Sequence, residues 1–556
     1  MSNSNNQFFE QIKTMNQVNA VNTLLSVLTE SKDLEKKVQA AELLIQFDDD
    51  KSSRFQELKN IFLSDKHPQL RLKLIELLAQ CYRKDGIDFL KEQYKYFRDG
   101  SVKKTLIEII GRSNLSESIP FIIETLSDAN DDVKKTAISL LGKSDEKEAL
   151  EPLIEMLHFR NPSIYDQLID SIVKLGKKGN LNKIHEYANT HDPNIKREIP
   201  NILGRIGNKE SEEILFNFLK DRNSNIRKKT IKALEKIIGL RNIRFLLEML
   251  NDPDLEVKKE TIRVLGNLES KRPIKNLLEI LKENDVKVRN LAKNALYKIL
   301  RKSNSYGVLY EVSKGRNNNA RKEAIKLLGM LKDTNSIDFL IKTFDSSVAS
   351  IRNAAYKALL KVLNNIIDKR IVDGLSDKSW RIRMYCVKIL GDVGDPSTLN
   401  MVFKLVNDEN GSVRKSVIYA LTSFDTNKVI NLAKESLESS NWKIRRAAVE
   451  LLVRTGSKDS INSLVSCLND DDVYIKSWAA MALGKFKDID SIEPFIELLK
   501  ENDDKLRLSA AKALGEIGNK DAIKPLILAL GDDNWDVRRE IENALNQIDP
   551  KWMNYL

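Results

Sequence analysis

Along this chain a branched or aliphatic residue followed by a basic one returns at a nearly constant distance. The strong copies are Val102-Lys103, Val133-Lys134, Ile195-Lys196, Ile226-Arg227, Val257-Lys258, Val288-Arg289, Ile351-Arg352, Ile382-Arg383, Val413-Arg414, Ile444-Arg445, Ile475-Lys476, Leu506-Arg507 and Val537-Arg538. Weaker copies at Val38, Leu70, Ile164 and Ala320 complete 17 marks, spaced by 31 residues except for three steps of 32. Counted from the mark, apolar residues fall at zero, four, seven and eight, as in Val133, Ala137, Leu140 and Leu141. That spacing predicts one buried stripe on a helix. Asp or Asn stands at minus three in 13 of the 17 copies, Asn130, Asp192, Asp254, Asp285, Asp472 and Asn534 among them. A short polar side chain there predicts an N-cap for orphan backbone N–H groups. Glycine at plus nine in eight copies (Gly111, Gly142, Gly204, Gly266, Gly329, Gly391, Gly484, Gly515) predicts the helix end, because glycine tolerates positive φ. A second apolar stripe precedes each mark and is often opened by proline, as in Pro152-Leu153-Ile154, Pro494-Phe495-Ile496 and Pro525-Leu526-Ile527. Two helices per period therefore stack on their neighbours, since one such pair cannot bury its own apolar face.

The best-preserved unit, residues 514–541, reads Leu514-Gly515-Glu516-Ile517-Gly518, then Pro525-Leu526-Ile527, Asp532, Trp535 and Val537-Arg538. It resembles the HEAT family, specifically the phycobilisome-lyase-type HEAT-like repeats. The resemblance implies an all-α fold: a right-handed α-α superhelix, a HEAT-like or armadillo-type solenoid of about 17 two-helix repeats of 31 residues. In such solenoids the second helices line the concave side. The expected organisation is a polar N-terminal tail and lead-in over 1–15, a single repeat solenoid over 16–549, and a C-terminal cap over 550–556 in which Trp552 and Tyr555 fold back over the last helix. The stretches 301–319 and 361–374 break the repeat pattern and are expected to pack irregularly.

Composition narrows the class. The chain has 556 residues, 42% of them hydrophobic, without a Pro/Gly/Ser-rich linker or a run of 18 apolar residues. Met1 to Gln7 lack the charged-then-apolar pattern of a signal peptide. A soluble, cytoplasmic protein is expected, with no membrane insertion. Cys81, Cys386 and Cys467 are far apart and read as small buried thiols in a reducing compartment.

The net charge of +11 is unevenly placed: residues 221–400 hold 37 Lys plus Arg against 21 Asp plus Glu, while the rest is slightly acidic. Position plus six of the second helix, about 240° around from the stripe, reads Lys232, Arg263, Asn294, Lys326, Lys357 and Lys388 in six consecutive units. Position plus two adds Lys228, Lys259 and Lys322. With second helices on the concave side, the resemblance implies a basic ridge along an inner groove, the footprint of an anionic partner. A solvated lysine face is the plainer reading of the same residues. Nucleic acid wants aromatic residues in register with the charge, and Tyr297, Tyr306, Tyr310, Trp380 and Tyr385 are near the ridge but out of register. An acidic protein or peptide is therefore the expected partner, with nucleic acid in the same groove as the alternative.

Two further repeated positions read as structural. The basic residue at plus one occurs in 15 of 17 copies, and Asp recurs at minus five in nine: Asp33, Asp65, Asp128, Asp221, Asp252, Asp377, Asp408, Asp470 and Asp532. Together they can form a ladder, each carboxylate accepting from the guanidinium of its own or the next unit. Trp380, Trp442 and Trp535 share offset minus two and are expected to pack over the turn between helices.

Catalytic constellations are nearly absent. Only His67, His158, His185 and His191 occur, and His185-Glu186 is the one His-Glu pair. HEAT-like deoxyhypusine hydroxylases need several such pairs to hold two irons, so the sequence departs from that family at its essential point. Nothing marks a bilin site, and HEAT-like DNA glycosylases are about half this length and need an acid distinct from the ladder. No Cys-x-x-Cys, phosphate-binding glycine loop or nucleophile elbow is present. The expectation is a non-enzymatic scaffold or adaptor without cofactor, metal or small-molecule substrate.

Overall fold

The structure, a computed structural model, describes residues 2–47, 55–80, 83–112, 116–303 and 306–555, so Cys81 lies outside the described residues. Among them every regular element is a helix. The chain divides into two compact units, Met1–Pro273 and Ile274–Leu556, each an all-α solenoid segment of stacked helix pairs. The marks fall at the starts of second helices, with Ile164 one residue ahead of its helix. A typical pair runs from a 3-10 turn, Lys458–Ser460, through a short first helix, Ile461–Ser466, and a second 3-10 turn, Cys467–Asn469, to the second helix, Val473–Phe486.

Local chemistry explains these boundaries. Asn130, Asp254, Asp472 and Asn534 each accept from the backbone N–H groups of the second and third residues of the second helix, as the minus-three pattern predicts. The prolines do not open the first helices. Pro152, Pro494 and Pro525 are third residues of Leu150–Glu155, Ile492–Leu498 and Ile523–Leu528, still within the turn whose N–H groups have no helical partner.

The plus-nine glycines do something other than end helices. Gly204, Gly391, Gly484 and Gly515 lie inside their helices, and the left-handed C-cap sits three residues later, at Gly207, Gly394, Lys487 and Gly518. Plus nine is instead where successive second helices meet. A Cβ on Gly204 would stand 2.6 Å from the Ala233 Cα, one on Gly391 2.7 Å from the Ala420 Cα, and one on Gly484 2.7 Å from the Ala513 Cα. Glycine is required there by backbone approach and not by φ.

Apolar side chains fill the space between the two layers of helices. Leu24, Phe62 and Leu74 are fully buried in the first unit, Phe344, Leu390 and Phe495 in the second. Residues 2–13 form a helix that buries Phe9 and Ile12. In the last residues Trp552 is buried and its Nε1 donates to the Asn546 side chain at 3.1 Å, whereas Tyr555 stays exposed with its hydroxyl toward Asp549. The irregular stretches have local signatures. The helix Val286–Ser303 has 18 residues against the usual 13 or 14, and Ala349–Leu363 ends in two consecutive left-handed residues, Asn364 and Asn365.

The ladder joins adjacent repeats. Arg227 holds Asp252 through Nε and Nη2 at 2.7 Å each, Arg383 holds Asp408 at 2.7 and 2.9 Å, Arg445 holds Asp470 at 2.8 and 3.0 Å, and Arg507 holds Asp532 at 2.6 and 3.1 Å. Lys103–Asp128, Lys196–Asp221 and Lys476–Glu501 make single-point rungs. In each of these the acid belongs to the next repeat. The other edge of the guanidinium serves its own repeat: Arg383 Nη1 donates to the carbonyls of Asp377 and Lys378 at 2.9 and 3.1 Å, where the first helix ends. Arg414 keeps this backward pair although Ser439 replaces the forward acid. Each aspartate has a second duty as well, Asp408 Oδ1 accepting from the Asn410 N–H at 2.8 Å and so shaping the turn ahead of the next helix.

In an exposed helix Gly→Ala gains about 1 kcal/mol, but at plus nine the new methyl meets backbone, and overpacking of that kind costs about 1–3 kcal/mol. Gly391→Ala is therefore expected to lower the melting temperature, and Ala420→Gly in the same chain to restore part of the loss; a stabilised Gly391→Ala protein contradicts the contact.

Burial by itself raises the Asp408 and Asp470 carboxyls, but hydrogen bonds from Arg383 or Arg445 and from the turn N–H outweigh it and hold both below their ordinary value of 3.8. For Asp532 the hydrogen bonds from Arg507 lead, with the same result. A folded value below the unfolded one stabilises fully above about pH 4 and is lost as pH falls through the lowered folded values. Replacing Asp408, Asp470 and Asp532 by Asn should cost about 2 kcal/mol per rung at pH 6 and flatten the drop in melting temperature between about pH 4 and pH 2. An unchanged acid profile would show that the rungs do not carry this term.

Candidate functional site: the exposed face of the second helices

The eight cations singled out in the sequence lie on second helices, Lys228, Lys232, Lys259 and Arg263 in the first unit and Lys322, Lys326, Lys357 and Lys388 in the second. Their environments differ. Lys228 and Lys259 face Glu256 at 3.7 and 2.8 Å. Arg263 is clamped by Glu235 and Glu260 at 2.8 and 2.7 Å. Lys326 donates at 2.8 Å to Glu323, a residue only 3% exposed that also accepts from Lys293 at 3.0 Å. Burial would raise the Glu323 carboxyl, yet Lys326 and Lys293 hold it below its usual range, so the acid stays ionised and its charge is spent on these lysines.

Lys232, Lys322, Lys357 and Lys388 form no ion pair among the described residues. Lys232, Lys357 and Lys388 are exposed, and the Lys388 ammonium stands 5.3 Å from the centre of the Tyr385 ring. The residue at plus three, one turn before plus six, accounts for the difference. Where it is Glu (Glu260, Glu323) the plus-six cation is neutralised within the chain. Where it is Lys229, Ala354 or Tyr385, the cation faces outward; Lys229 itself is taken by Glu198 of the preceding repeat. A basic ridge read from cations alone overstates the charge this face presents.

The tryptophans at minus two differ from one another. Each is the first residue of its second helix. Trp380 packs against the core, whereas Trp442 and Trp535 are 46% and 60% exposed and lie under Lys443 and Arg539.

Acid–base chemistry has little to work with. His158 Nδ1 is bonded to the N-capping Asp192, and His185 Nε2 lies 2.9 Å from the Ser211 hydroxyl, with burial lowering its affinity for a proton. A cleft of about 850 Å³ in the first unit is lined by Lys104, Glu108, Lys135, Lys143, Asp145 and three serines, with no His or Cys among its described lining residues. Among the described residues no three His, Cys, Asp or Glu side chains are placed to hold a metal ion, and no helix is long and apolar enough to cross a membrane. Cys386 and Cys467 are free and buried, which pushes both thiols up to about 12.

Comparison with known proteins agrees with the repeat pattern. A family model for HEAT repeats matches residues 95–172, 181–250, 243–312, 369–439, 430–511 and 492–551. No curated protein matches the chain. Among solved structures, Kap95p, from a study of its binding to RanGDP, is 10% identical with a TM-score of 0.34, covering 97% of this chain and 90% of its own. Importin beta is 11% identical with a TM-score of 0.33, covering 99% and 87%. An engineered protein is 18% identical with a TM-score of 0.23, covering 78% and 98%. With helix pairs at the predicted period, caps and rungs in register, and the family model matching most of the sequence, the chain belongs to the HEAT repeat family.

Proposed function

We propose that this protein is a non-enzymatic binding scaffold of the cytoplasm whose second-helix face takes an acidic protein or peptide. The observation that supports the reading most is the set of cations without an internal acid, above all Lys357 and Lys388 on Ala349–Leu363 and Trp380–Val393 and Lys322 on the preceding second helix, Asn318–Leu331. Unneutralised charge repeated once per helix raises the local concentration of an anionic ligand and speeds its arrival. Lys232 makes the same contribution in the first unit. The pairs Arg263–Glu260 and Lys326–Glu323 are internal and serve to hold the flanking helix surface. Two buried free thiols fit a reducing compartment. Within the family, the resemblance of residues 514–541 to the phycobilisome-lyase-type repeats supports placing the chain in that class.

The test uses a labelled poly-glutamate peptide and the full chain. Reversing Lys232, Lys322, Lys357 and Lys388 to Glu should weaken binding at least tenfold while leaving the melt nearly unchanged, since exposed charges shift stability by less than about 0.5 kcal/mol each. Reversing Lys275, Lys342, Lys428 and Lys524 on first helices should leave binding intact. Equal binding by both variants identifies the face as merely solvated.

A further inference from the structure

Beyond the basic segment the second-helix face of the second unit changes character. The helix Gly411–Leu421 presents Lys415 and Tyr419, Trp442–Thr455 presents Trp442, Lys443 and Arg446, and Val473–Phe486 presents Tyr474 and Trp478. Tyr419, Trp442 and Tyr474 are 52%, 46% and 48% exposed. Cations are threaded between the rings. The Arg446 guanidinium lies 4.6 Å from the centre of Tyr474 and 5.5 Å from that of Trp478, Lys443 lies 5.9 Å from Trp442, and Lys505 of the next second helix lies 5.4 Å from Tyr474. A cleft of about 310 Å³ runs between Lys415, Trp442, Arg446 and Trp478. Its one acid, Glu450, is occupied by Arg454 at 3.0 and 2.9 Å, and Lys415, Lys443, Arg446 and Lys505 form no ion pair among the described residues.

We propose that this face binds single-stranded nucleic acid, its bases stacked on Trp442, Tyr474 and Trp478 and its phosphates held by Lys415, Lys443 and Arg446. Three features select that occupant. Flat rings alternating with unneutralised cations on successive helices match a strand whose bases offer π-faces and whose backbone offers one negative charge per nucleotide. Apart from Glu450, the polar side-chain atoms lining the cleft are donors, from lysine, arginine and indole, which suits a phosphodiester backbone made of acceptors. A peptide backbone also carries N–H groups, and with Glu450 occupied and no Asn or Gln in the cleft those would lose water without gaining a partner. A duplex keeps its bases stacked on one another and leaves the rings unused. The surface lies on helices other than those of the proposed acidic-partner face, and the inference does not depend on that reading.

The probe is a fluorescein-labelled oligothymidylate of about 20 nucleotides, long enough for a site of ordinary size, titrated into the full chain. Binding should quench tryptophan fluorescence and weaken steeply with salt. Trp442→Ala and Tyr474→Ala, both at exposed positions, should each weaken it about tenfold with an unchanged melt. Lys443→Glu with Arg446→Glu should reduce the salt dependence, and the matching duplex should bind far more weakly. The variant reversed at Lys232, Lys322, Lys357 and Lys388 should still bind the oligonucleotide. No binding at low salt, binding indifferent to the two aromatic substitutions, or displacement of the strand by poly-glutamate at equal charge would each overturn the proposal, the last by making this an acidic-protein surface.

Discussion

A guanidinium that addresses two repeats at once is the constraint on which both units depend. Arg383 ties the end of its own first helix through Nη1 and grips Asp408 of the next repeat through Nε and Nη2, while Asp408 in turn fixes the turn before its own second helix. Break the aspartate and three things loosen together: the rung, the turn and the entry to a helix. With side chains only 9% and 7% exposed, this pair is far from a surface salt bridge, and its bidentate geometry satisfies the charges that burial strands. The glycine–alanine approach of neighbouring second helices works beside it, setting how close successive repeats come, while the rungs set their register.

What could be read from the sequence was whatever repeats. The period, the N-caps at Asn130 or Asp472 and the pairing of plus one with minus five rest on local geometry copied many times, so each copy checks the others. What could not be read was which neighbour a residue meets. Glycine at plus nine looks the same whether it ends a helix or admits a backbone, and only the Cα of Ala420 opposite Gly391 decides between the two. The true cap, Gly207, Gly394, Gly456 or Gly518, was visible three residues further on and differs from repeat to repeat, with Lys332 and Lys487 in the same conformation elsewhere.

The candidate surfaces were legible in part for the same reason. Lysines at plus six are evident, but a lysine's availability depends on the carboxylate one turn away, and Glu260 and Glu323 remove two of the cations that seemed to build a ridge. The aromatic surface beyond it escaped notice because its rings come from different offsets, Trp442 at minus two, Tyr474 at minus one and Trp478 at plus three, which converge only once the helices are side by side.

Because every rung joins plus one of one repeat to minus five of the next, a 31-residue window that keeps both positions, such as one holding Asp470 and Lys476, carries an arginine or lysine facing forward and an acid facing back. Such a window is an adaptor with matched ends. Copied in tandem, it docks onto its parent through an interface that already exists, so the array can gain or lose whole repeats without a new interaction having to arise. The two-edged arginine thus favours a change in the length of this chain by whole repeats.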